Sequence, residues 1–158
     1  MAVNKPALDP AAVEVISRSG SPEPYRSRVL PRHKRRLGDA LGLTHIGINL
    51  TMLPPGKESS MRHWHTDEDE FVYVLEGEVV LRTDAGEQLL RAGMCAGFPA
   101  GVADAHQLVN RGDRPALYLE VSNRDPADSA SYADPDVDLM WNPPHAPGRF
   151  TRRDGTLY

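Results

Sequence analysis

The sequence is poor in cysteine, in lysine and in long apolar runs. Its single cysteine, Cys95, cannot form an internal disulfide, and the N-terminus carries no apolar segment of the kind that directs secretion. No run approaches the roughly 20 apolar residues needed to span a bilayer. We therefore expect a cytoplasmic protein that works in a reducing compartment and has no membrane partner.

The chain also lacks an excess of positive charge. Its net charge of −4 argues against a general nucleic-acid binder, because neutralising phosphates needs a concentrated positive surface. The local exception is the basic run Arg-His-Lys-Arg-Arg at positions 32–36, which no helix-turn-helix pattern accompanies. We expect this run to form a solvated turn or a subunit-interface arm, and we expect no nucleic-acid partner.

What the chain has instead is a succession of short strand signals separated by turn residues. Its 158 residues fit one ordinary domain. Strands are predicted at 43–53, 71–75, 78–83, 87–90, 94–98, 105–110 and 116–122. Turn signals at Glu76-Gly77, Asp84-Ala85-Gly86 and Pro99-Ala100-Gly101 lie between them. Without a long amphipathic helix, this pattern predicts an antiparallel all-β sandwich or barrel.

The densest chemical signal lies near the middle of the chain. His63 and His65 are two residues apart, so in an extended strand both side chains point to one face while Trp64 points to the other. Glu70 opens the next predicted strand, so its carboxylate can turn back toward the histidines. A fourth candidate ligand, His106, follows the Pro-Ala-Gly turn downstream. Imidazole and carboxylate groups suit iron, manganese, zinc, nickel or cobalt.

Two blocks of residues carry a resemblance to a known family. Residues 56–77 read G-x6-H-x-H-x4-E-x6-G, and residues 93–110 read G-x5-P-x-G-x4-H-x3-N. These blocks resemble the two signature motifs of cupins, with one extra residue before His63 and two extra residues before His106. The resemblance covers about residues 44–122, and the exact residues of the motifs are similar to those of small bacterial single-domain cupins.

The resemblance implies an all-β fold, namely a double-stranded β-helix or jelly-roll barrel over residues 38–123. Residues 1–37 would form an N-terminal arm, and residues 124–158 an irregular C-terminal tail packed on the barrel. It also implies a divalent transition metal, Fe, Mn, Zn or Ni, and commonly a homodimer. The implied metal ligands are His63, His65, Glu70 and His106.

Strand parity predicts the character of the pocket. If Glu70 points into the barrel, then Val72 and Val74 do so too, while Phe71 and Tyr73 face outward. The pocket would then be mostly apolar around one polar metal centre, which is typical of a small-molecule site. The outward aromatic residues would be left to pack on other elements or on a second subunit.

Several functions are compatible with these features, and the sequence leaves open whether the protein is an enzyme. A metal-dependent enzyme on a small organic substrate could be of dioxygenase type or of isomerase or lyase type. A sugar-phosphate isomerase would need cations beside the metal, yet no arginine has a clearly inward parity, Arg82 is ambiguous, and lysine is rare. An oxygenase needs no second base, which fits a pocket predicted to be poor in other titratable groups. The alternative class is a non-catalytic module that binds or senses a small molecule.

The remaining chemically active residues receive ordinary interpretations. His33, His45 and His145 lie outside the motifs and are predicted to be surface or hydrogen-bonded histidines, with His45 a possible outer partner of a ligand. Cys95 lies in an apolar strand and is predicted to be a small packing residue. Asn110 is predicted to make structural hydrogen bonds near the barrel rim.

Overall fold

The computed structural model describes residues 6–142 and 149–158, so His145 lies outside the described residues. The strands are β1 (His33–Arg36), β2 (Ile46–Leu53), β3 (His63–His65), β4 (Glu70–Glu76), β5 (Glu78–Thr83), β6 (Gly86–Arg91), β7 (Cys95–Phe98), β8 (Gln107–Val109), β9 (Ala116–Asn123), β10 (Ala130–Tyr132), β11 (Met140–Asn142) and β12 (Arg149–Thr151). The helical elements in these ranges are a 3-10 turn (Pro10–Ala12), α1 (Tyr25–Val29) and α2 (Leu37–Ala40). None of these helices is long and apolar enough to cross a membrane.

The named strands pair antiparallel in three sheets. A five-stranded sheet has the order β1-β2-β9-β4-β7, a three-stranded sheet the order β6-β5-β8, and a four-stranded sheet the order β12-β11-β10-β3. Strands far apart in sequence become neighbours, since β9 lies between β2 and β4, and this is the pattern of a jelly roll. The predicted all-β jelly-roll barrel is confirmed.

The β4–β5 hairpin shows why a glycine is needed at its turn. Gly77 has a φ of +73°, a conformation that side-chain-bearing residues rarely adopt. A Cβ atom there would also lie 2.8 Å from the carbonyl oxygen of Pro115. The glycine that ends the first motif therefore has a steric reason to be there, independent of any chemistry.

The main core fills one end of the barrel interior. Val72 and Val74 of β4 are 7% and 0% exposed, whereas Phe71 and Tyr73 on the same strand are 40% and 37% exposed, so the predicted parity of this strand is confirmed. Burying each large aliphatic side chain contributes about 1.5–3 kcal/mol. The core residues are Leu53, Val72, Val74, Val79, Leu81, Leu90, Leu108, Ala116 and Tyr118.

The prediction that the basic run 32–36 forms a solvated turn is wrong, and its role at a subunit interface stays a prediction. Most of it forms the edge strand β1, which pairs antiparallel with β2. Successive side chains alternate between faces, and Arg32 and Lys34 turn to the interior, where both line a cavity. The N-terminal arm covers the free edge, because Ile16 and Lys34 exchange backbone hydrogen bonds of 2.8 and 2.9 Å.

The tail contains more regular structure than the sequence pattern indicates. Strands β10, β11 and β12 are three residues each, too short to leave a periodic signal, and they extend a sheet outward from β3. The tail also joins the arm, since the Tyr25 hydroxyl accepts a hydrogen bond from the backbone N–H of Asp138 at 2.9 Å. A second buried cluster forms there from Tyr25, Val29, Met61, Val137 and Leu139.

Two single-residue predictions have opposite outcomes. Asn110 is fully buried, and its Nδ2 donates to the carbonyl oxygens of Leu53 and Arg114, both at 2.8 Å, so its structural role is confirmed. The prediction that Cys95 is a small packing residue is wrong, because this residue is exposed. Cys95 lies opposite Tyr73 in the β4–β7 pairing and therefore shares its outward face.

Candidate metal centre

Neighbouring stretches of the barrel bring the four candidate ligands together. Strand β3 carries His63 and His65, and Glu70 begins β4. His106 lies just before β8 and exchanges backbone hydrogen bonds of 3.1 and 2.8 Å with His63. This bridge fixes His106 beside β3, so the two extra residues after Gly101 are absorbed by the loop.

The carboxylate of Glu70 lies at the centre of the cluster. Its Oε2 atom is 2.6 Å from Nε2 of His106, 3.5 Å from Nε2 of His65 and 3.7 Å from Nε2 of His63. The ligand atoms of His63, Glu70 and His106 lie within 4.8 Å of one another. Two imidazoles and one carboxylate this close together could hold a divalent transition metal, and Nε2 of His65 lies beside the same carboxylate.

The electrostatics of the cluster suit metal ligands. Burial lowers the pKa of His63 to about 4, so its imidazole is neutral at pH 7. Burial opposes ionisation of Glu70, but the hydrogen bond with His106 and the neighbouring histidines hold its pKa far below the ordinary value. Metal binding requires neutral imidazole and ionised carboxylate. Both shifts therefore favour the form of the site that binds a metal.

Different neighbours orient two of the rings. The Nδ1 atom of His63 lies 2.9 Å from the carbonyl oxygen of Met61, an acceptor that places the proton on Nδ1. The ring of His106 is stacked on Phe98, with centroids 3.6 Å apart and planes 4° from parallel. Its Nδ1 has no hydrogen-bond partner within the described ranges. In both rings Nε2 is left to face Glu70.

The third ring depends on a residue that sequence reasoning missed. Nδ1 of His65 lies 2.6 Å from Oδ2 of Asp128, a fully buried carboxylate in the tail. The two residues are 63 positions apart, and Asp128 stands in a stretch of Asp, Pro, Ser and Ala that is typical of a solvated loop. Glu68 lies close to the same pair. We find no local pattern that would have predicted this contact.

A cavity of about 240 Å³ opens beside the cluster. Its lining is charged, so the prediction of a pocket poor in other titratable groups is wrong. A signal was present, because Tyr118, Glu120 and Ser122 alternate along a predicted strand and share one face. The titratable residues that line this cavity are His63, Glu70, His106, Arg32, Lys34, Tyr118 and Glu120.

A partly buried ion pair lies in the cavity wall. Lys34 Nζ is 2.5 Å from Oε2 of Glu120, and the two side chains are 24% and 21% exposed. Burial lowers the pKa of Lys34. Burial opposes ionisation of Glu120, but the charges of Lys34 and Arg32 lower its pKa below the ordinary value. Glu120 is therefore an ionised carboxylate at neutral pH.

Two buried donors in the same wall have no hydrogen-bond partner of good geometry among the described residues. They are the Nε atom of Arg32 and the hydroxyl of Tyr118. The arginine is anchored by Nη1, which donates to the carbonyl of Ser59. Burial, together with the charge of Glu120, raises the pKa of Tyr118 well above its ordinary value, so the hydroxyl keeps its proton. Buried donors normally have partners, and these two suit an oxygen-rich ligand.

Fold and site together define a class, that of jelly-roll barrels with an internal cavity beside a candidate metal centre. The family model described as "Cupin domain" matches residues 49–122. A solved structure described as a sugar phosphate isomerase from a cupin superfamily, from Silicibacter pomeroyi, is 43% identical, covers 96% of each chain and gives a TM-score of 0.90. The chain belongs to the cupin superfamily.

Other solved structures extend this similarity. A putative sugar phosphate isomerase from Acidithiobacillus ferrooxidans is 31% identical, covers 80% of each chain and gives a TM-score of 0.71. A polyketide cyclase from Streptomyces resistomycificus is 19% identical over 82% of this chain and 87% of its own, with a TM-score of 0.62, and shows the shared fold alone. A search of curated proteins finds no match.

Proposed function

We propose that this cupin is a metal-dependent isomerase of a small phosphorylated sugar. Two relatives described as sugar phosphate isomerases, one of them as putative, are 43% and 31% identical to it. The observation that carries the proposal is in the chain itself, because Arg32 and Lys34 line the same cavity as His63, Glu70 and His106. A phosphosugar needs cations beside the metal, and these two residues supply them.

The proposed ligands are His63, His65, Glu70 and His106, and their donor atoms fit iron, manganese, zinc or nickel. When bound, such an ion acts as a Lewis acid on the carbonyl oxygen of the sugar.

The charge balance of the cavity favours an anionic substrate. Arg32 and Lys34 balance the carboxylates of Glu70 and Glu120, so a divalent ion leaves the cavity net positive. Nε of Arg32 and the hydroxyl of Tyr118, which make no hydrogen bond of good geometry within the described residues, can donate to phosphate or sugar oxygens. The volume of about 240 Å³ is below the roughly 300–1,000 Å³ of most ligand pockets. The substrate is therefore a small one.

Glu120 is the proposed proton carrier. Glu120 on β9 pairs with Val72 on β4, which is the next inward position after Glu70. Glu120 and Glu70 are therefore diagonal neighbours across the two strands, a relation that places residues roughly 7–8 Å apart. Its carboxylate accepts the proton from the hydroxyl-bearing carbon and returns it to the adjacent carbonyl carbon. A second proton passes from the hydroxyl oxygen to the carbonyl oxygen, which balances the isomerisation. Lys34 holds the carboxylate in place.

The test is turnover of a panel of aldose and ketose phosphates in D2O by protein loaded with one metal at a time. We expect interconversion of one phosphorylated pair, with solvent deuterium appearing on the carbon that receives the proton. Unphosphorylated sugars should react more slowly. Oxygen consumption without isomerisation would favour the dioxygenase interpretation, and saturable binding without turnover would favour a binding or sensing module. Either result would contradict the proposal.

We further infer that the protein is a homodimer, as expected from the family resemblance. The outer face of the five-stranded sheet is apolar across three strands, since Leu119 pairs with Leu50 and Tyr73, and Val121 pairs with Phe71. Phe71 and Tyr73 on this face are 40% and 37% exposed, and contiguous exposed apolar residues mark interaction sites. Phe71→Glu should convert a dimer to a monomer in light scattering. A monomeric wild type would contradict this inference.

A further inference from the structure

Asp128 is a fully buried carboxylate whose hydrogen bonds all converge on the end of β3. Oδ2 lies 2.6 Å from Nδ1 of His65. Oδ1 accepts from the backbone N–H groups of Asp67 at 2.9 Å and Glu68 at 3.2 Å, and from the hydroxyl of Thr66 at 3.4 Å. Burying a carboxylate is costly unless it is fully hydrogen-bonded, and here both oxygens have partners. The side chain thus holds His65 and the turn that follows it.

The tail backbone reinforces this contact. Strand β10 runs antiparallel to β3, with Ala130 opposite His65. The N–H of Thr66 donates to the carbonyl of Ser129 at 3.0 Å, and the N–H of Ser129 donates to the Thr66 hydroxyl at 2.9 Å. The backbone pairing of β10 with β3 therefore places Asp128 beside His65, so the contact does not depend on the side-chain conformation of Asp128 alone.

The chemical consequence concerns the tautomer of His65. A carboxylate at Nδ1 is an acceptor, so it holds the imidazole proton on Nδ1 and leaves the lone pair on Nε2. Nε2 is the atom that faces Glu70, 3.5 Å from its Oε2. His63 obtains the same tautomer from the Met61 carbonyl, without any carboxylate. The tail therefore supplies the acceptor at Nδ1 of His65, and the local backbone supplies the acceptor at Nδ1 of His63.

The geometry points to Asp128 as a positioning residue of the metal centre, one that keeps the proton of His65 on Nδ1 and leaves Nε2 free to bind the metal. This inference rests on the proposed metal site but not on the proposed isomerase reaction. It also assigns a function to the tail, since a barrel without the segment around residue 128 would present His65 with no fixed tautomer.

Asp128→Asn separates this role from a merely structural one. The asparagine Oδ1 can still accept the backbone N–H groups of the turn, so the fold should persist. Its amide nitrogen would face His65 and donate to Nδ1, which moves the ring proton to Nε2. We expect the zinc affinity, measured by competition with a chromophoric chelator, to fall roughly 10–100-fold. The matched control is Asp125→Asn, three residues upstream, which should change zinc affinity less than about twofold.

The decisive readout is the ¹H–¹⁵N spectrum of the histidine rings in the metal-free protein, which reports the tautomer without any reaction. We expect His65 protonated on Nδ1 in the wild type and on Nε2 in Asp128→Asn, while His63 stays unchanged in both. A wild-type His65 protonated on Nε2 would overturn the inference even if the variant fails to fold. So would a variant with wild-type tautomer and affinity. A wild type that binds no zinc would instead overturn the metal site itself.

Discussion

The two ends of the barrel interior are built from the same strands and have opposite character. In β4, Glu70 lies at one end and Val74, fully buried, lies four residues on at the other. In β9, Glu120 and Ala116 occupy corresponding positions, since Ala116 belongs to the main core and Glu120 lines the cavity. Inward positions therefore change from charged to apolar along each strand.

This gradient separates stability from chemistry. The apolar end excludes water and supplies the burial energy of the fold. The polar end contains charges and unpaired donors that cost stability unless a metal and a substrate satisfy them. Functional sites commonly break the local rules that the rest of a structure obeys. Substitutions at the two ends should therefore have different readouts, and the predictions below test that separation.

The largest effect is expected at the polar end, from His106→Ala. This change removes one imidazole from the cluster, so the loss of affinity should exceed the roughly 10–100-fold that follows removal of an outer partner of a ligand. Elemental mass spectrometry of tag-free protein, purified without chelators, should show near-stoichiometric metal in the wild type and background levels in the variant. The control is His45→Ala, an exposed histidine outside the cluster. A metal-free wild type, or a variant that keeps its metal, would contradict the ligand set.

The next effect is expected from Glu120→Gln. The amide keeps the shape and can still accept from Lys34, but it cannot accept a proton from carbon. We expect kcat to fall about 10²–10⁴-fold, with KM and metal content little changed and with loss of solvent deuterium incorporation. Glu78→Gln, at an exposed position of β5, is the control. A variant with unchanged kcat would remove Glu120 from the mechanism.

The apolar end and the ligand cluster could be predicted because both leave local patterns. Alternation along β4 predicted its buried face, and the spacing of His63, His65 and Glu70 predicted that they lie on two strands consecutive in the chain. The structure brings these residues together with His106 as expected. Whether the four bind a metal stays a prediction.

The charged wall and the tail contact could not be predicted, because they depend on pairs distant in sequence. Lys34 and Glu120 are 86 positions apart, and a run of like charges is usually solvated. The run becomes strand β1 because it pairs with β2 on one side and with Ile16 of the arm on the other. Tertiary packing therefore overrides the preference of a charged run for solvent. Asp128 is hidden in the same way, in a stretch whose composition is typical of a loop.

At the apolar end, Leu81→Ala should lower the free energy of unfolding by about 2–5 kcal/mol, because it leaves a cavity in a packed core. Leu81 is 4% exposed, whereas Leu89, on the neighbouring strand, is 37% exposed. Leu89→Ala should therefore cost only about 0.5 kcal/mol or less. Urea unfolding measures both values. Folded Leu81→Ala protein should keep its metal content, and loss of metal would show that the two ends are not separable.

The smallest effect is expected from Arg32→Ala, which removes a cation from the cavity without touching the metal ligands. A hydrogen bond to a charged group contributes about 1.5–3 kcal/mol, so KM for a phosphorylated substrate should rise roughly 10–150-fold. Turnover of the unphosphorylated sugar, where measurable, should barely change, since it offers no phosphate to bind. Arg36→Ala removes the same charge from an exposed position of the same basic run and is the matched control.

Measuring both variants with both substrates gives the interaction free energy between Arg32 and the phosphate group of the substrate. If Arg32→Ala raises KM equally for the two substrates, the arginine supports the cavity wall, for example through its hydrogen bond to Ser59, and does not bind the phosphate. If only the phosphorylated substrate is affected, Arg32 binds the phosphate at the polar end of the barrel. The basic run at 32–36 would then be the specificity element of the protein.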